Sequence, residues 1–180
     1  MNENRLSAFR RDKLGFVFQE YNLLNNLTVR ENVVLPLALA RVDYETIDNK
    51  VEEIAGELGI SDILAKYPDE ISGGQKQRTA AGRAIINQPE LILADEPTGN
   101  LDSRSSKELL QYLSKLNNSF NATILMVTHD AFAASYCKRI LFIKDGKLFT
   151  ELNRGKSRKE FFQKILDVLK TIGGDVSELI

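Results

Sequence analysis

Leu91-Ile92-Leu93-Ala94-Asp95-Glu96-Pro97-Thr98-Gly99-Asn100-Leu101-Asp102 decides how this chain is read. Its first four residues form a continuous apolar run, which predicts a parallel strand covered on both faces. The run ends on two adjacent carboxylates, so Asp95 and Glu96 project from the end of a rigid, buried element. An Asp in that place can take Mg²⁺, directly or through water. A Glu beside it can orient and deprotonate a water for attack on phosphorus. In isolation such a pair is more commonly two solvated acids at a strand end, so its neighbours in the sequence have to decide. Upstream, Ile71-Ser72-Gly73-Gly74-Gln75 reads as the start of a helix. Ser72 and Gln75 fit the S-x-x-Q capping box, in which each satisfies a backbone N–H. Capping does not require two glycines, each of which costs up to about 1 kcal/mol against Ala inside a helix. What Gly73 and Gly74 supply is bare backbone N–H at the positive end of a helix, where a phosphate can sit closely.

Outward from these two motifs the pattern alternates. Leu14-Gly15-Phe16-Val17-Phe18 predicts a buried strand ending at Gln19. Thr28 and Glu31 predict a capping box that opens a helix to about Leu39, kinked or broken by Pro36. Tyr44, Ile47, Val51, Ile54 and Leu58 follow helical spacing, with Gly59 as the stop. Beyond Leu91, a helix carries Leu109, Leu110, Leu113 and Leu116 on one side, and Thr123 to Val127 predicts a second buried strand. Two further strands flank the hairpin signal Asp145-Gly146. Phe161, Ile165, Val168 and Ile172 mark a final amphipathic helix. The order describes an α/β sheet with a helical insertion.

The 24 basic and 25 acidic residues give a net charge of −1, which leaves no electrostatic footprint for nucleic acid. The single Cys137 can form no internal disulfide, which fits a reducing cytoplasm. The longest apolar run, Val33 to Ala40, contains Pro36 and is far shorter than the ~20 residues that span a bilayer. The residues after Met1 form no apolar signal region. A role at a membrane therefore calls for a protein partner.

Gln19 follows a strand directly; it reads either as a ligand to a metal or a water, or as a surface amide. His129 is the only histidine and follows a strand by two residues, at the edge where α/β sites are built. It reads either as functional or as structural, and Asp130 beside it as a helix cap. No stretch of the 180 residues matches G-x-x-x-x-G-K-[ST], the loop that wraps phosphates in many nucleotide-binding proteins.

Taken together and in order, Gln19, Ser72-Gly73-Gly74-Gln75, Asp95-Glu96 with Asp102, and His129 resemble the Q-loop, signature motif, Walker B with D-loop, and switch histidine of ATP-binding-cassette ATPases. The stretch from Phe9 to Leu24 is similar to the branch that exports lipoproteins, macrolides and antimicrobial peptides. Arg139 to Lys147, with the helix after it, looks most like the bacitracin-type peptide-detoxification transporters. Ile71 stands where the family usually has Leu. The resemblance implies a partial ATP-binding domain with an incomplete P-loop NTPase core. Residues 1–27 would be the Q-loop strand region, 28–88 a helical sub-domain with the signature motif, 89–155 the Walker B to switch-histidine core, and 156–180 a C-terminal helix. It further implies that the adenine-stacking aromatic and the P-loop lie ahead of the matched region. The expectation is then an N-terminally truncated chain, inactive by itself, whether fragment, mis-started frame or degraded gene.

By the same resemblance two subunits face head to tail and sandwich two ATP molecules. Asp95 and Gln19 would hold Mg²⁺, Glu96 would polarise the water, and His129 would contact the γ-phosphate. Ser72, Gly73, Gly74 and Gln75 would touch the nucleotide of the opposed subunit, homodimeric or a complete homologue, and Asp102 would lie at the junction. The block from Thr28 to about Pro68, with Asn25, Arg30 and Arg41 exposed, would dock on an integral-membrane permease, placing the chain at the inner face of the plasma membrane. The alternatives are a catalytically dead or regulatory subunit that lends its signature motif to a complete partner, and a non-transport ABC protein of DNA repair or translation. The latter is disfavoured by the absence of a second cassette or a coiled-coil insert.

Overall fold

The computed structural model describes residues 3–119 and 122–173. Residues 174–180 of the expected C-terminal segment lie outside the described residues. The chain divides into two compact units, Met1–Val127 and Thr128–Ile180.

The first unit runs α1 (Glu3–Lys13), β1 (Leu14–Phe18), α2 (Val29–Leu39), α3 (Tyr44–Leu58), two 3₁₀ turns (Ser61–Ile63 and Pro68–Glu70), α4 (Gly73–Ile85), β2 (Leu91–Asp95), α5 (Ser103–Ser119) and β3 (Thr123–Val127). The strands form one parallel sheet in the order β1-β2-β3. Its register is level at the C-terminal edge: Phe18 pairs with Asp95 and Asp95 with Val127. Val17, Ile92 and Ala94 share one cluster with Ala81, Ala84 and Ile85 of α4 and Leu109, Leu113 and Leu116 of α5.

The opposite face departs from the sequence reading. Leu91 and Leu93 are only half-buried, so β2 is not covered on both faces. β3 is not a buried strand, because Leu125 and Val127 are 54% and 59% exposed. Phe16 and Phe18 lie on that face of β1 and stack on each other, ring centroids 5.8 Å apart. An apolar run states what a strand can bury against, and among the described residues one face of this sheet carries the helices that meet it.

The helices start where their caps say. Thr28 and Glu31 form the reciprocal box at α2, and Asp43 accepts from Thr46 N–H at α3. Gly59 ends α3 at φ 60°, a left-handed conformation that glycine adopts without a Cβ penalty. Pro36 does not break α2, which continues to Leu39 and is followed by an Ala40 N–H bond to the Pro36 carbonyl. Proline withdraws only its own N–H, toward the preceding turn, and leaves its carbonyl to serve the next one.

Asn32 of α2 is fully buried. Its Nδ2 donates to the carbonyls of Leu24, Leu27 and Thr28, each at 3.0 Å, and its Oδ1 accepts from Leu24 N–H at 2.8 Å. One amide therefore folds the loop between Leu24 and Thr28 onto the helix. Asn32→Leu should destabilise the chain by about 2–4 kcal/mol, because it strands several backbone groups at once. Urea unfolding measures this; a midpoint unchanged from wild type would mean that the loop finds other partners.

The second unit runs α6 (Ala131–Ala134), β4 (Arg139–Lys144), β5 (Lys147–Asn153) and α7 (Arg158–Ile172). β4 and β5 pair antiparallel around Asp145 and Gly146, with φ of 51° and 72°. Two consecutive positive φ values are what a two-residue turn of this hand requires. Phe142, Phe161 and Ile165 form its core.

Candidate functional site

The level register gathers the expected residues of the first unit. Gln19 is the first residue beyond β1, Asp95 the last of β2, and Glu96 the first after it. Glu96 leaves the strand with φ 42°, in the left-handed region that side chains other than glycine seldom occupy. Its N–H bonds to the Val127 carbonyl at 2.9 Å, so β3 holds the bend. Gln19 is tied to the loop after Glu96 by a reciprocal pair. Its Nε2 donates to Asn100 Oδ1 at 3.2 Å, and Asn100 Nδ2 donates to the Gln19 carbonyl at 3.1 Å. Gly99 makes this approach possible, since a Cβ there would lie 2.7 Å from Gln19 Nε2.

The glycine motif opens α4 as its capping box predicts. Gln75 N–H bonds to Ser72 Oγ at 3.3 Å, and Ser72 N–H to Gln75 Oε1 at 2.9 Å. The box leaves the Gly73 and Gly74 amides outside it. Close packing gives both glycines a second reason. A Cβ on Gly73 would sit 2.9 Å from Tyr21 Oη, and one on Gly74 2.7 Å from Ser105 Oγ. Tyr21 belongs to the turn after Gln19, and Ser105 bonds to Asp102, so the glycine pair seats both neighbouring loops. Asp102 caps α5, accepting from Arg104 N–H at 2.9 Å, Ser105 N–H at 3.0 Å and Ser105 Oγ at 2.8 Å. The bonds from Ser105 hold its carboxyl below the usual range.

His129 belongs to the second unit and is exposed, ahead of Asp130. Asp130 caps α6 through the N–H groups of Phe132 and Ala133. Among the described residues no group of three or more His, Cys, Asp or Glu could hold a metal ion. The donor set, one carboxylate at Asp95 and one amide at Gln19, suits Mg²⁺, which keeps waters and shares its coordination with phosphate oxygens.

Other residues of the site carry no motif signal of their own. Arg83 of α4 donates to the carbonyls of Asn22 (2.6 Å) and Tyr21 (3.0 Å), in a turn where both residues have positive φ. Arg78 pairs with Glu108 of α5 at 3.2 Å. Gln77 is fully buried between the two strand exits. In sequence these side chains look like the solvated part of a helix. Their sole sequence clue is the small-residue set Thr79, Ala80, Ala81 and Ala84, which marks a helix packed closely enough to bury whatever polar groups lie beside it.

A parallel sheet whose C-terminal edge presents Gln19, Asp95 and Glu96, beside a helix opened by Ser72-Gly73-Gly74-Gln75, has the arrangement of a nucleotide-hydrolysing cassette. The family described as ABC transporter matches residues 1–99, and the chain belongs to that family as its ATP-binding part. It is 54% identical over 178 residues to the ABC transporter ATP-binding protein YvcR of Bacillus subtilis, covering 99% of this chain and 69% of that one. It is 53% identical over 175 residues to the bacitracin export ATP-binding protein BceA of Halalkalibacterium halodurans, covering 97% and 69%. Among solved structures, the ATP-binding cassette MJ0796, a dimer in a post-hydrolysis state bound to ADP and Pi, superposes with a TM-score of 0.76 at 39% identity, covering 86% of this chain and 69% of that one.

Proposed function

We propose that the chain is the ATP-hydrolysing part of an exporter serving antimicrobial-peptide resistance or efflux, and that it turns over ATP only when joined to a P-loop segment. The observation that carries the hydrolytic part is the level register of Phe18, Asp95 and Val127, which brings Gln19 and Glu96 out of the sheet side by side. Similarity to a bacitracin export protein supports the substrate class. Glu96 takes the proton of the attacking water, Gln19 orients that water, and His129 contacts the γ-phosphate. Asp95 and the amide oxygen of Gln19 would hold Mg²⁺, which would supply neutralisation of phosphate charge. Ser72, Gly73, Gly74 and Gln75 close on the nucleotide of a second subunit, and Asp102 keeps the start of α5 fixed at that junction.

Residues 28–88 act as a helical sub-domain that meets an integral-membrane permease at the inner face of the plasma membrane. Among the described residues no helix is long and apolar enough to cross a membrane. The sub-domain instead exposes apolar side chains, with Leu39 63% and Tyr44 76% accessible. Arg30, expected to be exposed, is half-buried and pairs with Asp48 and with Glu52 at 3.4 Å, joining α2 to α3. The docking positions are therefore Asn25, Leu39 and Arg41. Single cysteines there, in a chain joined to a P-loop segment with Cys137 replaced, should cross-link to a permease in membranes. Cysteines at Lys107 and Gln111 should not. The reverse pattern would sink the docking assignment.

A further inference from the structure

Gln77 lies one turn into α4, fully buried, and nothing in the hydrolytic scheme above uses it. Its Nε2 donates to the Phe18 carbonyl at 3.1 Å and to the Pro97 carbonyl at 2.7 Å. Phe18 precedes Gln19, and Pro97 follows Glu96, so a single amide spans the exits of β1 and β2. Both partners are carbonyls, which only accept, and this fixes which end of the amide faces them. The amide's own Oε1 is buried without a hydrogen-bond partner. An apolar side chain of the same length would carry no orphaned acceptor of its own, so what the amide contributes is the tie between the two carbonyls.

That tie bears on Glu96. A non-glycine residue at φ 42° persists only where its surroundings hold it. On one side of Glu96, Val127 takes its N–H; on the other, Gln77 takes the carbonyl of the next residue. The same amide anchors the last carbonyl of β1, from which Gln19 departs toward Asn100.

We propose that Gln77 is a positioning residue for hydrolysis, setting the directions in which Gln19 and Glu96 leave the sheet. It rests on the reading of Glu96 as the base. Catalytic geometry is sensitive to displacements of about 1 Å, so the chemical step depends on Gln77 while nucleotide binding does not.

The test uses a chain joined to a P-loop segment and two variants, Gln77→Met, which keeps length and removes both donors, and Gln77→Asn, which keeps an amide that cannot span both carbonyls. Each should lower kcat for ATP roughly 10- to 100-fold with KM and equilibrium ATP affinity within about threefold, while thermal unfolding shows a folded chain. An unchanged kcat in the folded variants overturns the proposal. So does a parallel loss of kcat and affinity, or a failure of both variants to fold, since either makes Gln77 a support of the fold as a whole. Glu96→Gln serves as the control: if it still turns over ATP, the reading of the base has failed, and this proposal with it.

Discussion

Glu96→Gln, in a chain joined to a P-loop segment, should slow ATP hydrolysis about 10²- to 10⁴-fold and leave ATP affinity nearly unchanged. The amide has the size of the carboxylate and can still hydrogen-bond a water, but it cannot take the water's proton. The backbone at Glu96 is held by its own N–H on the Val127 carbonyl and by the Gly99 N–H on its carbonyl, bonds that the substitution leaves in place along with the bend at φ 42°. Phosphate release and equilibrium nucleotide binding separate the two effects. An equal loss of affinity would make Glu96 a structural residue and would move the base elsewhere on the sheet edge.

Gly15→Ala should destabilise the chain by about 3 kcal/mol, the upper end for overpacking. Gly15 sits in β1 where α4 crosses it. A Cβ there would lie 2.3 Å from the Ala84 carbonyl oxygen, 3.1 Å from its carbon and 3.2 Å from Pro89 Cγ. Two of these three atoms are backbone, so no rotamer relieves the clash and α4 must move away from the sheet. The contrasting change is Gly56→Ala in α3, where an added Cβ meets nothing within 4 Å. That variant should gain up to about 1 kcal/mol from helix propensity. Urea unfolding of both variants is the measurement. A Gly15→Ala chain as stable as wild type would mean that β1 and α4 are not in close contact.

Much of this is legible in the sequence. The boundaries of α3 follow from five apolar positions and a glycine, and the capping boxes at Thr28 and Ser72 place two helix starts to the residue. These signals are local, and local chemistry fixes them. α1 left no such trace, because Leu6 and Phe9 stay exposed and no apolar stripe marks a buried face. The carboxylate pair and the glycine motif were legible because each has a chemical signature at fixed spacing. Gln77 and Asn100 were not, since their partners lie 59 and 81 positions away in sequence and only strand pairing brings them near. The covered faces of strands are hidden for a similar reason: an apolar run records what a strand can bury against, and not which covering layer it meets.

The pairing of β1 with β2 also governs the order of events in biosynthesis. Lys13 and Glu90, which lead into the two strands, are 77 positions apart. At synthesis rates of about 5–20 residues per second, β1 waits several seconds for its partner. During that interval α2 and α3 can form from local contacts and shorten the loop that must close, while Phe16 and Phe18 stay open to chaperones or to another strand edge. The sheet edge that carries Gln19 and Glu96 therefore completes only after β2 emerges, and a pause in translation between Asn22 and Pro89 lengthens the time for which nascent β1 stays unpaired with β2.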